Sequence, residues 1–244
     1  MRTRIFRILI FSVLIITGTG LWFYLTLPDV KNLAKNNPTT TALIEQRTAE
    51  AESAGKKLRI RIKWVSFNRI PDLLKKSVRI SEDANFYFHE GIDFEELRES
   101  LKRNWEEGKI VRGASTITQQ LAKNLYLSTD RSFLRKFREY FIARRLEEAL
   151  SKNRIFHIYL NVIEFGPGIF GVEAAAQYYF GKSVAGLTLS EQIRLTAVIP
   201  RPLTTSPVSN SKWLRWRCCW ISRKLLLYNY IDEATYQTLR DQFC

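Results

Sequence analysis

The sequence has few of the residues from which metal sites and disulfide frameworks are built. It contains only two histidines, which excludes a histidine-rich metal site, and three cysteines. Cys218 and Cys219 are adjacent and Cys244 is the last residue, a spacing that fits neither a zinc site nor an even disulfide framework. We therefore predict no metal site, and we expect Cys218 and Cys219 to be small apolar groups in a C-terminal helix.

Glycine and proline are also scarce, at 11 and 7 residues, which excludes collagen-like and low-complexity classes. Hydrophobic residues make up 45% of the 244 residues, enough to bury a core in one catalytic domain with an appendage. Acidic residues number 24 against 38 basic ones, a formal net charge of +14. This excess favours a polyanionic partner: nucleic acid, an anionic membrane surface or a phosphorylated substrate.

Residues 8–27 (ILIFSVLIITGTGLWFYLTL) lack charge altogether. As a helix they would span roughly 30 Å, the thickness of a hydrocarbon core. Arginines precede the segment, so we expect residues 1–7 in the cytoplasm and the rest of the chain on the other side of the membrane. The alternative is a cleaved signal with a poor cleavage site at 18–20, but the apolar run continues past it. Either interpretation exports the chain, so we expect no nucleic-acid partner.

The exported part is predicted to be mainly α. Residues 28–57 are polar and predict a juxtamembrane connector with a short helix, and residues 58–244 predict the catalytic domain. Residues 58–65 alternate like a strand, the only such signal. Capping signals predict helix starts at Asp93 and Thr188, and the apolar stripe of the first of these helices ends in Trp105, which we expect in the core more than in lipid. Residues 213–228 interleave tryptophans with basic residues, which favours a core-packed helix with a solvated basic face over the alternative, a helix on a membrane surface.

Residues 81–93 (SEDANFYFHEGID) place acidic side chains among aromatic ones. Apolar neighbours desolvate a carboxylate and raise its pKa, which suits Glu82 to act as a general base. An ordinary solvated edge is the alternative interpretation.

The segment 113–125 divides into two faces when it is wound as a helix. One face is apolar. The other carries amide and hydroxyl groups with a single cation, which suits binding of a sugar or phosphate: Thr116, Gln119, Gln120, Lys123 and Asn124.

Residues 131–150 predict a helix that has Glu139 on its apolar face, with Ile142 and Leu146. A buried charge without a partner is costly, so Glu139 either pairs, for example with Arg135, or lines a cleft. The sequence leaves a structural ion pair and a catalytic role equally open.

In order and spacing, these segments resemble motifs of the family 51 glycosyltransferases, the bacterial peptidoglycan glycosyltransferases. The matching residues of the first three motifs are Glu82, Asp83, Phe86, His89 and Gly91; Gly113, Ser115, Thr116, Ile117, Thr118, Gln119, Gln120, Lys123 and Asn124; and Arg135, Lys136 and Glu139. The fourth motif, Lys-x-x-Ile-Leu-Glu-x-Tyr-Leu-Asn in the family, is matched by 152–161 except at Phe156 and His157. Residues 171–181 resemble the fifth, and the resemblance covers 64–202. Since few residues follow, we expect no transpeptidase domain.

The resemblance implies a lysozyme-like helical fold that polymerises lipid II into β-1,4-linked glycan strands, with inversion and release of undecaprenyl pyrophosphate. It assigns Glu82 as the base and gives Glu139 the role of orienting the cations or the donor. Lys123, Arg131, Arg135 and Lys136 would hold the phosphates. Further substrate contacts are expected from Ser115, Thr116, Gln119, Gln120 and Asn124. Support of the site is expected from Asp83, Phe86, His89 and Gly91. The departure at His157 is expected to affect local packing.

A pyrophosphate leaves as a stable anion and requires positive charge rather than a proton, so the cations around Glu139 favour a transferase. The alternatives are a membrane-anchored, lysozyme-like muramidase and an inactive scaffold of the same fold. We expect no required cofactor, although Mg²⁺ or Mn²⁺ stimulates members of the family. The expected partners are lipid II, the growing glycan strand, the membrane and the cell-wall synthesis machinery. The expected location is the bacterial inner membrane, with a single-pass anchor and a periplasmic catalytic domain.

Overall fold

Ten helices dominate the part of the chain that the computed structural model describes, namely residues 6, 10–11, 17–18, 20–108, 115–130 and 132–244. They are α1 (Ala42–Ser53), α2 (Asp72–Glu82), α3 (Phe94–Glu106), α4 (Ile117–Tyr126), α5 (Phe133–Ala149), α6 (Lys152–Val162), α7 (Val172–Phe180), α8 (Leu189–Val198), α9 (Lys212–Leu227) and α10 (Glu233–Phe243). Residues 20–25 form the end of an N-terminal helix. The mainly helical fold expected from the sequence is confirmed.

Side-chain caps fix where the central helices begin. Asp93 accepts the backbone N–H of Glu96 at 2.8 Å at the start of α3, as the sequence predicted. Thr188 and Glu191 form the predicted capping box at the start of α8. A further capping box, formed by Thr116 and Gln119, begins α4. Each cap satisfies backbone N–H groups that have no partner inside the helix.

A small sheet of three strands has the order β1-β3-β2, with β1 (Arg61–Ile62) parallel to β3 (Ile169–Phe170) and β2 (Glu164–Gly166) antiparallel to β3. The strand expected over 58–65 forms ladder pairs at only two residues. The other two strands were not predicted, because they are short and wholly buried and so show no alternation. At Gly171 the backbone φ is 82°, and a Cβ there would lie 2.4 Å from the Asn161 carbonyl oxygen, which requires glycine at this turn.

Helix α4 runs through the centre of the core. Ile117 and Leu121 on its apolar face are fully buried, as are Ile142 of α5 and Tyr159 of α6, the two helices against which α4 packs. Helix α2 packs against α8 and α9 on the other side. The helix that carries the second motif therefore contacts the helices that carry the third and the fourth.

The apolar stripe of α3 faces solvent instead of the core. Trp105 is 89% exposed, Phe94 68% and Leu101 60%. The expectation that Trp105 belongs to the core was therefore wrong. Helical periodicity shows that residues share a face, but it does not show what covers that face.

Two cysteines form a disulfide, between Cys219 in α9 and Cys244. The expectation that Cys219 is only a small apolar group was therefore wrong. Helices α9 and α10 pack against each other about the turn at 228–232, which brings the two distant positions to a Cα separation of 5.3 Å. Cys218 is buried as expected, and burial raises its pKa to about 12.

Within the described residues, no helix is both long and apolar enough to cross a membrane. Residues 1–5, 7–9, 12–16 and 19 lie outside that description.

Candidate active site

Glu82 is the last residue of α2, and its carboxylate is enclosed by polar groups from two other helices. One oxygen accepts a hydrogen bond from Gln120 Nε2 of α4 at 3.2 Å. The other accepts from Ser81 Oγ at 3.1 Å and from Arg217 Nη2 of α9 at 3.3 Å. Only 9% of the Glu82 side chain is exposed. Burial raises the pKa of the Glu82 carboxyl, although the charge of Arg217 and the hydrogen bonds oppose the rise.

Tyr159 extends the hydrogen-bond network of Glu82 into the core. Its hydroxyl donates to Gln120 Oε1 at 2.9 Å, so the Gln120 amide is held on both sides, by Tyr159 and by Glu82. Burial raises the pKa of Tyr159 well above its ordinary value, and the nearby Glu82 adds to the rise. The tyrosine therefore stays a neutral donor that fixes the direction of the amide.

Arg217 is a site residue that the sequence interpretation missed. Its side chain is 15% exposed, its Nη2 donates to Ser81 Oγ at 2.8 Å, and its guanidinium carbon lies 4.6 Å from the centre of the Trp220 ring. The basic residues of α9 were all expected on a solvated face, and for Arg217 this was wrong. The available signal was its spacing: Arg217 lies four residues after Trp213 and three before Trp220, and so on the face of the partly buried tryptophans.

Asp83 connects the first motif to the start of α4. Its carboxylate accepts the backbone N–H of Ile117 at 2.9 Å, and His89 Nε2 lies 3.0 Å from both of its oxygens. Phe86 is fully buried beneath the same loop. At Gly91 the φ of 89° favours glycine, and its carbonyl accepts the Thr116 hydroxyl at 2.6 Å. These contacts hold the loop that follows Glu82 in one conformation against α4.

Glu139 forms the second buried carboxylate, with 3% of its side chain exposed. Arg135 Nη1 donates to it at 2.6 Å, and Lys136 Nζ donates to its other oxygen. Lys136 Nζ also lies 2.9 Å from Ser115 Oγ. The expectation that Glu139 lies on the buried face is confirmed. Of the two alternatives that the sequence left open, the structure contains the ion pair, with Arg135 as one partner.

Lys123 lies on α4, three residues after Gln120, and so on nearly the same face of that helix. Burial lowers its pKa most, repulsion from Arg135 and Lys136 lowers it further, and attraction to Glu139 opposes both effects. One helix therefore carries the amide that contacts Glu82 and an ammonium group whose pKa is affected by the charges of the Glu139 cluster.

Several other predicted substrate contacts use their polar atoms within the protein. Thr116 and Gln119 are buried and bond to each other in the capping box, and Asn124 is also buried. Their role in substrate binding stays a prediction. Arg131 and Gly113 lie outside the described residues.

His157, at the position where the fourth motif departs, fastens the segment before α2. Its Nε2 lies 2.8 Å from the Val65 carbonyl oxygen and its Nδ1 lies 3.2 Å from Arg154 Nη1, an arrangement in which Nε2 donates and Nδ1 accepts. Burial lowers the pKa of His157. The Val65 backbone N–H in turn donates to Asn161 Oδ1 at 2.8 Å. These contacts join α6 to the segment before α2.

A cavity of about 450 Å³ lies beside α2 and is lined by basic and aromatic side chains, among them Lys75, Lys76 and Arg79. Neither Glu82 nor Glu139 lines it. Among the residues with described positions, no group of three or more acidic, histidine or cysteine side chains is arranged to hold a metal ion.

Comparison with known proteins gives consistent matches. The family model described as Transglycosylase matches residues 50–226. A protein of Janthinobacterium sp. (strain Marseille) is 43% identical over 202 residues, which cover 83% of this chain and 86% of the relative. A protein of Alcanivorax borkumensis is 41% identical over 234 residues, or 96% and 91% of the two chains. A protein of Neisseria gonorrhoeae is 40% identical over 188 residues, or 77% and 81%. All three relatives carry the name biosynthetic peptidoglycan transglycosylase.

Proposed function

Since the chain belongs to the transglycosylase family, we infer that it is a peptidoglycan glycosyltransferase of the monofunctional biosynthetic kind, an enzyme of bacterial cell-wall synthesis. Its substrate is lipid II, which it polymerises into β-1,4-linked glycan with release of undecaprenyl pyrophosphate. The observation that carries this proposal is the attachment of two different carboxylate sites to one helix. Gln120 of α4 binds Glu82, and Lys136, which pairs with Glu139, contacts Ser115 immediately before the same helix at 2.9 Å.

Glu82 acts as the general base. The attacking sugar hydroxyl is a poor nucleophile until its proton is accepted, and a carboxylate whose pKa is raised by burial accepts protons more readily than an ordinary one. The proton passes to Glu82 while the hydroxyl oxygen bonds to the anomeric carbon and the bond to pyrophosphate breaks. One displacement inverts that carbon, so no covalent glycosyl-enzyme is needed.

The cations near Glu139 stabilise the leaving group. Pyrophosphate departs with its negative charge already spread over several oxygens, so fixed positive groups assist it more than an acid does. Arg135, Lys136 and Lys123 supply this charge, together with Arg131. Glu139 keeps Arg135 and Lys136 in place through the two ion pairs. No cofactor is required, and the pyrophosphate recruits Mg²⁺ or Mn²⁺ if a divalent ion stimulates the reaction.

The protein is held at the inner membrane by residues 8–27, with residues 1–7 in the cytoplasm. Residues 28–57 connect this anchor to a periplasmic catalytic domain over 58–244. The exposed Phe94, Leu101 and Trp105 of α3 support a second contact, in which this helix enters the lipid surface. An enzyme held in this way meets lipid II in the membrane and works beside the growing strand and the cell-wall machinery.

Separate incubations of the purified full chain with lipid II and with finished peptidoglycan test the proposal. Glycan strands formed from lipid II, with finished peptidoglycan left intact, support the transferase. Release of soluble fragments from finished peptidoglycan would establish the muramidase instead. Inactivity toward both, in protein with a cooperative unfolding transition, would establish the inactive scaffold.

A further inference from the structure

The end of the N-terminal helix is bound to α5 through its backbone. Arg145 donates to the carbonyl oxygens of Tyr24 at 3.0 Å, Leu27 at 3.1 Å and Pro28 at 3.3 Å. Arg138 donates to the Thr26 carbonyl oxygen at 2.8 Å. The last carbonyl groups of a helix have no partner inside the helix and carry partial negative charge. The two guanidinium groups therefore supply hydrogen-bond partners for carbonyl groups at and just after the C-terminal end of the N-terminal helix.

Aromatic contacts join the same two surfaces. The guanidinium carbon of Arg145 lies 4.4 Å from the centre of the Tyr24 ring, and that of Arg138 lies 5.5 Å from the Phe23 ring. Phe23 also packs at 5.3 Å from the Phe137 ring. Each arginine thus combines hydrogen bonds with a cation–π contact, and both restrict the angle between the helix and α5.

The chain after this helix is fixed as well. Leu27, Val30 and Leu33 are buried in the main core. Arg154 of α6 donates to the Leu33 carbonyl oxygen at 2.7 Å and to that of Asn36 at 2.8 Å. The sequence indicated a polar connector here, but its first residues are packed into the catalytic domain.

Arg138 and Arg145 are seven residues apart, two helical turns, and therefore lie on one side of α5. Arg138 immediately precedes Glu139, and Arg135 and Lys136 lie four and three residues before Glu139, about one turn away. The helix that holds the proposed pyrophosphate site is thus also the helix that holds the end of the anchor.

We propose that Arg138 and Arg145 are positioning residues: they fix the orientation of the N-terminal helix on α5 and so hold the pyrophosphate site at the height and angle that a membrane-embedded substrate requires. This inference rests on the proposed function, since it takes residues 8–27 as the anchor. Without the two arginines, the catalytic residues are unchanged, but the orientation of the catalytic domain relative to the N-terminal helix is no longer fixed. Activity is then lost toward substrate held in a bilayer and retained toward substrate that reaches the site from solution.

The test compares the full chain with R138Q/R145Q in two assays. One uses lipid II in vesicles, and the other uses a short-chain, water-soluble lipid II analogue in detergent. We expect the double variant to lose about tenfold in kcat/KM on vesicles and to stay within about twofold of the unsubstituted chain on the soluble analogue. R215Q/R223Q, which removes two exposed arginines of α9, is the charge-matched control and should behave as the unsubstituted chain in both assays.

Three activity outcomes would overturn the proposal: equal loss on both substrates, no loss on either, or full recovery with R138K/R145K. Recovery with lysine would mean that positive charge near lipid headgroups is enough and that the arginine geometry is not needed.

Hydrogen exchange in vesicles gives a readout that does not depend on activity. The backbone amides of residues 23–27 should exchange at least about tenfold faster in R138Q/R145Q than in R215Q/R223Q. Equal protection in the two variants would overturn the positioning role even if the enzyme used neither substrate. Inactivity of the unsubstituted chain would count against the proposed function alone.

Discussion

The two buried carboxylates of the site differ in what surrounds them. Glu82 and Glu139 are similarly enclosed, with 9% and 3% of their side chains exposed. Glu82 has one cation, Arg217, at the outer limit of hydrogen bonding, and neutral donors complete its contacts. Glu139 binds two cations directly. A buried carboxylate readily takes a proton when few cations offset the cost of burying its charge. A carboxylate between two cations is instead suited to hold those cations in place.

Removing the charge of Glu82 should have the largest effect. E82Q keeps the side-chain shape but cannot accept the proton, so we expect polymerisation to fall by about 10³-fold, measured as glycan formed from lipid II. Since burial already disfavours the charge, the Tm should change little. E45Q, a neutralisation of an exposed glutamate in α1, is the control. Near-normal activity of E82Q would end its assignment as the base.

Removing a cation from Glu139 should have the next largest effect. R135A deletes one of the four cations proposed to meet pyrophosphate, and Lys136 remains to pair with Glu139. We expect a loss of about 10²-fold in kcat/KM for lipid II and a much smaller relative change in unfolding free energy. Chemical denaturation and kinetics on the same preparation check this. A loss of folding as severe as the loss of activity would favour a purely structural ion pair.

Removing Arg217 should alter the pH dependence and thereby sharpen the contrast between the two carboxylates. Arg217 lowers the pKa of Glu82 against the effect of burial, so R217Q should raise that pKa further. The base acts only when ionised, and the acidic limb of the kcat/KM profile should therefore move to higher pH. R215Q, an exposed neighbour on α9, should leave the limb in place. A shift toward lower pH, or none, would contradict the proposed coupling.

The smallest effect is expected away from both carboxylates, at Trp105. Made in residues 28–244, without the proposed anchor, W105S removes an 89% exposed ring from α3, so the Tm should be unchanged while association with anionic vesicles weakens by about threefold. W216S removes another exposed tryptophan, from α9, and serves as the control. If both variants bind vesicles as the unsubstituted chain does, α3 makes no lipid contact.

Much of this arrangement could be predicted because local signals and tertiary structure agree. The caps at Asp93 and Thr188, the buried face of Glu139 and its pairing with Arg135 all depend on neighbours within one helical turn. The same motifs identified the family, which the comparisons confirm for residues 50–226.

The predictions that were wrong concern residues whose contacts are made by distant parts of the chain. Arg217 meets Glu82 across more than a hundred residues, and Cys219 meets Cys244 only because two helices fold back on each other. Trp105 illustrates the opposite case, because its stripe has the period of a core helix and no other described element covers it. Periodicity describes a face, and only the assembled fold decides what that face contacts.

Helix α4 also sets a fixed distance within the reaction. Gln120 and Lys123 are three residues apart, a rise of about 4.5 Å along the axis, comparable to the width of one sugar ring. In the proposed mechanism, a helix rather than a loop therefore sets the spacing between the general base and the cations that receive the leaving group. A single residue inserted between them would turn one group about 100° away from the other. Gln120 and Lys123 would both remain, but in the proposed mechanism the base and the leaving-group cations would no longer act on the same sugar.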